Sequence, residues 1–211
     1  MNNNNNVILK GYITNLQLYT EGQLKGKWIE FPIQRKEEQS LDEAIAEIFE
    51  SIGINTENCR EYFFTDYESS IFGLTECLGE YENIYTLEYL ARKIEDIYYS
   101  IKQLEAMIEY GEHTDGAEQL IDLVDSEECF YFMPEVRDDF ELGYEYAENN
   151  GVFASAIESM DIIRNYIDYE AYGRDIRITD GGIFTNNGYI SLTDDVSDNF
   201  NFLEIIQSLH E

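Results

Sequence analysis

Forty-four carboxylates set against thirteen lysines and arginines leave this chain of 211 residues with a formal net charge of −31. Any fold it adopts must place those charges. Mutual repulsion on that scale works against a compact state, and salt screens it only beyond about 8–10 Å. Yet 44% of the residues are hydrophobic and 14% aromatic, which argues for packed cores and against a disordered acidic tail. The charge therefore has to sit outside those cores. It calls for a cause such as a basic partner, bound cations or a very salty medium.

Its distribution narrows the choice. Residues 1–60 carry 9 acids and 6 bases, residues 61–170 carry 28 and 5, and residues 171–211 carry 7 and 2. A halophilic chain would spread its acidity more evenly, so the middle stretch is expected to be the working part. Nucleic acid is excluded as a direct partner, because its phosphates would be repelled. No apolar run is long enough to span a membrane and no secretory signal is recognisable, so a cytoplasmic location is expected. Asn2 to Asn6 read as a floppy leader. Cys59, Cys77 and Cys129 are an odd, widely spaced set without a CxxC, which points to free structural thiols. His113 and His210 are expected at the surface.

The apolar pattern places the elements. VILKGYI and KWIEFPI read as two strands over residues 7–32, with Trp28, Phe31 and Ile33 available for a core. Ser40 with Glu43 fits a capping box, and Leu41, Ala44, Ile45, Ile48, Phe49 and Ile52 recur behind it until Gly53. EYFF at 61–64 reads as a return strand, giving a small α+β unit. A long helix is expected from Thr86 to Gly111, because Leu87, Leu90, Ile94, Ile97, Ile101, Leu104 and Ile108 step along one stripe. Glu88, Glu95, Glu105, Glu109 and Glu112 fall away from that stripe, with Arg92 and Lys102 relieving part of the repulsion. Asp115 with Glu118 suggests the cap of a further helix, which adds Glu118, Asp122 and Asp125 to the acidic surface. CFYFM at 129–133 reads as a strand. Asp138 with Glu141 and Ser155 with Glu158 read as caps of two short helices. DIRIT after Gly173 reads as a strand, GGIFTNNGYISL as a hairpin, and FLEIIQSL as a final helix.

Sites for chemistry are poorly supported. Carboxylate pairs suited to glycoside hydrolysis arise by chance among so many acids. TDDVSDN at 193–199 is loosely calcium-like but lacks the glycine and glutamate of an EF-hand loop, having Asn199 and Ile205 at those places. A two-metal nuclease would need cations facing phosphate, and bases are scarce where acids are dense. There is no GxSxG elbow, and a reactive thiolate needs positive surroundings. No catalytic residue, metal ligand or cofactor is therefore expected.

Recognition by charge remains. Double-stranded DNA carries one negative charge per about 1.7 Å of axis, so 28 displayed acids would match about 48 Å of duplex. Residues i and i+4 of a helix are separated by about 6 Å, a spacing of phosphate-like order. The unit DYE occurs at Asp66–Glu68 and Asp168–Glu170, with EYE at Glu80–Glu82. In an extended stretch its two acids share a face and the tyrosine points into the apolar layer; in a helix that meaning is lost. Arg174 is placed to pair with Asp168 or Glu170.

Several segments together resemble the ArdA antirestriction proteins, a family of DNA mimics. YIDYEAYGRDI at 166–176 is similar to its most recognisable C-terminal segment, and GKWIEFPI at 26–33, with Tyr19 and Glu21–Gly22, to its first strands. TDYES at 65–69, EYENIYTLEYLARKIEDI at 80–97, FELGYEYAENNG at 140–151 and FTNNGYI at 184–190 also correspond. The resemblance implies an elongated α+β molecule of three small domains in a row, with short antiparallel sheets flanked by helices and a helical middle domain. The corresponding boundaries are a leader at 1–6, an N-terminal α/β domain at 7–82 and an acidic helical domain at 83–126. A C-terminal dimerisation domain follows at 127–193, then an extension at 194–211.

It also implies a homodimer that occupies the DNA-binding groove of the specificity and methyltransferase subunits of type I restriction-modification enzymes, without catalysis. By the same resemblance Asp66, Glu68, Glu80, Glu82, Glu88, Asp168, Glu170 and Asp175 belong to the partner-binding acidic surface, and Gly173 serves backbone geometry. The segments around 40–60 and 98–118 and the tail look like additions to the family pattern. An inhibitor of another defence nuclease, or an acidic adaptor for basic proteins generally, stays open as an alternative.

Overall fold

The computed structural model of the protein describes residues 7–54, 61–150 and 161–209. The Asn2–Asn6 leader, Cys59, the Ser155–Glu158 cap and His210 lie outside the described residues. Two compact units emerge, each assembled from separate stretches of chain. Unit 1 takes residues up to 98, 113–125 and those from 198 onward; unit 2 takes 99–112 and 126–197. The fold is α+β, with two small antiparallel sheets flanked by helices.

Unit 1 is built on strands β1 (Leu9–Asn15), β2 (Gly26–Phe31) and β3 (Tyr62–Glu68), in the order β2-β1-β3. The short helix α1 (Leu16–Thr20) links the first two. Alternation puts Leu9, Ile13, Ile29 and Phe31 on the buried face. Opposite them Lys10 lies between Glu30 and Glu68, and Tyr12 between Trp28 and Asp66. Trp28, expected in the core, stands on this outer face and is 39% exposed. The register slips between Tyr12, which faces Asp66, and Ile13, which faces Phe64. Thr65 is the extra residue of that bulge. The slip turns Phe64 inward while leaving Asp66 outward.

Helix α2 (Leu41–Ser51) opens with the expected capping box. Ser40 Oγ accepts from Glu43 N at 3.2 Å, and Glu43 Oε2 accepts from Ser40 N at 2.9 Å. The long helix expected from Thr86 to Gly111 is two helices. α3 (Ile84–Glu95) starts at the Asn83 cap and α4 (Ile101–Tyr110) at the Ser100 cap. The serine side chain takes the N–H of Gln103 at 3.2 Å, so one helix ends and another begins although the apolar spacing runs on. α5 (Ala117–Val124) packs on α3. Its cap position is Gly116 at φ +93°, and no side chain caps it from there; the Asp115 cap expected from sequence does not form. Glu82 Oε1 instead accepts from Ala117 N at 3.3 Å and Gly79 N at 2.9 Å.

Unit 2 carries β4 (Phe130–Pro134), β5 (Ile183–Phe184) and β6 (Gly188–Leu192), in the order β4-β6-β5. α4 lies against β4 and β6, with Tyr110 edge-on to Phe130 at 5.7 Å. α6 (Asp139–Glu145) has its expected Asp138 cap and packs on α7 (Tyr169–Asp180). DIRIT is thus helical, not a strand. Its alternating isoleucines suggested a strand, but Ile178 is 67% exposed and Ile176 only partly buried. The helix is set instead by the Asp168 cap, whose Oδ1 accepts from Ala171 N at 3.0 Å, and by Gly173. That glycine is not a turn residue: a Cβ there would lie 1.8 Å from Asp139 O, so its absence lets α7 lie against α6. The last helix, α8 (Phe202–Leu209), belongs to unit 1, where Ile205 and Leu209 are buried and the helix packs on α3.

Candidate acidic interaction surface

The first acidic unit sits on β3, and its extended backbone does what the alternation requires. Asp66 and Glu68 are exposed on the outer face. Tyr67 points the other way, stacks on Phe64 at 5.3 Å and donates its hydroxyl to Gly79 O at 2.9 Å. Burial, with nearby Glu82, pushes the Tyr67 hydroxyl far above its ordinary pKa. Two carboxylates are thereby fixed on a rigid strand by a half-buried, hydrogen-bonded ring between them. Phe64 N donates to Glu80 O at 2.7 Å, so the chain around Glu80 runs beside β3. Asp66, Glu76 and Glu80 consequently line one shallow hollow. Glu76 and Glu30 were not singled out in the sequence. Glu30 was recoverable from strand register, since it faces Lys10 and pairs with it at 3.1 Å; Glu76 was not.

The same tripeptide pattern does different work elsewhere. At 80–82 the first two residues are exposed while Glu82 turns back to cap α5. At 168–170 Asp168 caps α7, Glu170 is exposed, and Tyr169 is 9% exposed with its hydroxyl donated to Glu148 Oε1 at 2.6 Å. Burial and that glutamate push the Tyr169 hydroxyl up to about 12.

Two residues assigned to the surface are not there. Glu88 is 0% exposed, and its Oε2 accepts from Ile33 N at 2.6 Å while Oε1 pairs with Arg92 at 2.8 Å. It bolts the chain after β2 to α3. Asp122 is 5% exposed and accepts from Asn199 N at 3.1 Å, which holds the start of the tail. Burial raises its pKa. A helical stripe alone cannot foresee either position, because the covering chain arrives from far away in sequence. Glu105 and Glu109 lie on α4 and hold the β5–β6 turn, accepting from Asn187 Nδ2 at 2.8 Å and Asn186 N at 3.1 Å. Asp125 is exposed and paired with Lys93. Glu95, Glu112, Glu118 and Asp175 are exposed.

Arg174 is exposed, and among the described residues no ion pair joins it to Asp168 or Glu170; other arginines near the C-terminal acidic unit have partners elsewhere. Arg177 pairs with Asp139 at 2.8 Å, and Arg164 with Glu148 at 2.8 Å. Hydrogen bonding to Arg177 holds the Asp139 carboxyl below its usual range. Lys102 reaches Glu135 at 3.4 Å. His113, expected at the surface, has a side chain only 14% exposed and bonds Asp198 at 2.8 Å.

Burial, with Glu76 nearby, raises the Cys77 thiol pKa; burial, with Asp194 and other carboxylates nearby, raises that of Cys129. Both shifts run against nucleophilic use. Among the described residues no group of three or more His, Cys, Asp or Glu side chains is placed to hold a metal ion. No helix among them is long and apolar enough to cross a membrane. The arrangement is suited to presenting anions at fixed positions.

A family model described as antirestriction protein (ArdA) matches residues 11–191. No curated protein matches the chain. The matched span runs from within β1 to within β6 and stops short of α8.

Proposed function

Because the chain belongs to the ArdA family of antirestriction proteins, we propose that it is a DNA mimic that fills the DNA-binding groove of a type I restriction-modification enzyme. The observation that carries this reading is the rigid outward placement of Asp66 and Glu68, with Glu80 beside them, on a chain of net charge −31. Glu95, Glu112, Glu118, Asp168, Glu170 and Asp175 extend the anionic surface, while Glu88 and Asp122 support it from within. The target's basic groove pairs with these carboxylates in place of phosphates, so binding competes with DNA and weakens with salt. Restriction is blocked, and modification with it where the two share a DNA-binding core. In this reading the protein works in the cytoplasm as a homodimer, with no catalytic step of its own.

The experiment is co-purification with a type I methyltransferase core across salt concentrations, beside protection of unmodified phage DNA in a restricting host. Stoichiometric binding that falls steeply with salt, together with protection, is expected. Full restriction at saturating soluble protein would overturn the target. Equal binding to unrelated basic proteins would replace it with a general acidic adaptor.

A further inference from the structure

Unit 1 carries a layer of rings on the outer face of its sheet, beside the carboxylates. Tyr12 meets Trp28 edge-on at 5.4 Å across the β1–β2 pair. One row along, Phe63 lies 5.0 Å from Tyr19 and 6.3 Å from Tyr81. Phe63 is buried under its neighbours, whereas Tyr81 is 71%, Tyr19 44% and Trp28 39% exposed. Gly26 makes room for this layer, since a Cβ there would lie 2.6 Å from the Tyr12 ring. Asp66 faces Tyr12 in register and Glu80 precedes Tyr81 in sequence. Lys10, a cation on this face, is already paired with Glu30. Exposed rings interleaved with carboxylates are more than charge display requires, because carboxylates alone would imitate a phosphate row.

We propose that this face is an anchoring surface for arginine side chains of the target protein, the rings receiving the guanidinium plane and Asp66, Glu68 and Glu80 its N–H groups. The proposal rests on the antirestriction reading and names the chemistry by which that partner is held. Arginine fits better than lysine: its planar, weakly hydrated cation stacks on rings and forks onto carboxylates, whereas an ammonium is a compact, strongly hydrated charge. The protein holds one of its own arginines this way. The Arg177 guanidinium lies 5.5 Å over the Phe184 ring while pairing with Asp139 at 2.8 Å. Aromatic anchors ringed by polar groups are also where interfaces concentrate their binding strength.

The test compares octa-arginine and octa-lysine binding by the full-length protein and by a Trp28→Leu/Tyr81→Leu double variant. Thermal unfolding checks that the variant is folded, and Tyr81→Leu alone serves if it is not. Wild type should prefer octa-arginine about fivefold, the scale of one or two exposed cation–ring contacts, and the variant should bind both peptides alike. On the methyltransferase core the double variant should bind about tenfold more weakly at every salt concentration with an unchanged salt slope, while Asp66→Asn/Glu80→Gln should flatten the slope. No arginine preference in wild type, or its persistence in the leucine variants, overturns the proposal. An arginine preference without binding to the core would overturn the proposed function and leave this face standing.

Discussion

Gly143 and Gly173 face each other across the α6–α7 contact so closely that neither position has room for a side chain. A Cβ on Gly143 would lie 1.9 Å from Tyr169 O, and one on Gly173 1.8 Å from Asp139 O. Backbone, not a flexible side chain, stands in the way, so only separation of the helices would relieve the clash. Gly143→Ala or Gly173→Ala should therefore destabilise unit 2 by about 2 kcal/mol or more. Hydrogen exchange should locate the loss in α6 and α7. Protection equal to wild type in both helices would contradict the contact.

Glu88 should behave as a structural residue. Glu88→Ala strips the partner from Ile33 N–H and leaves Arg92 without its carboxylate, a loss of about 3–5 kcal/mol for a buried pair broken on one side. Glu80→Ala, at an exposed position, should stay within about 0.5 kcal/mol of wild type. Urea unfolding of the two variants checks the contrast, and equal midpoints would refute it.

That contrast marks what could be read from the chain beforehand. The capping box at Ser40 and the cap at Asp138 are local patterns, and both form. The alternation in Asp66-Tyr67-Glu68 is local too, and the strand obeys it. Glu88 and Arg92 have the i,i+4 spacing of an ordinary surface pair; only the return of Ile33 over them makes the pair internal. In DIRIT the two isoleucines mimic a strand, and the deciding contact, Gly173 on Gly143, spans thirty residues of sequence. Short-range chemistry was legible in the chain, whereas long-range cover was not.

Acid should weaken unit 2 through Asp139 and Glu148. Arg177 lowers the Asp139 pKa; a bond from Tyr169 and then Arg164 lower that of Glu148. Their folded values lie below their unfolded ones, so their contribution is complete above the unfolded carboxylate range near pH 4 and fades as pH falls through the folded values. Relief of overall repulsion acts the other way, so the measurement is the difference between wild type and Asp139→Asn. Their stability gap should narrow from pH 6 to pH 3. A constant gap would count against the linkage.

Asp122 has the opposite sign. Burial raises its pKa, so its charged form is disfavoured in the fold and unit 1 loses stability as pH rises through the raised value. Asp122→Asn keeps an acceptor for Asn199 N without the charge and should hold the tail at neutral pH. Asp122→Ala removes the acceptor and should speed proteolysis within residues 198–209. Equal cleavage of both variants would show that the α8 contacts suffice.

Charge reversals at Asp66, Glu68 and Glu80 together should weaken target binding far more than any one alanine substitution, with a shallower salt dependence. Titration against the methyltransferase core measures this. Abolition by a single neutralisation, with folding intact, would argue against a distributed surface.

Glu82 fastens the start of α5 while Glu105 and Glu109 pin the β5–β6 turn, so some of the acidity is scaffolding for the rest. A flexible polyanion of equal charge would have no such internal struts, and its negative groups would drift with the ions around them. Anionic proteins patterned on this one would therefore need its strut-forming acids as much as its free-standing ones, because the former set the ruler on which the latter are marked.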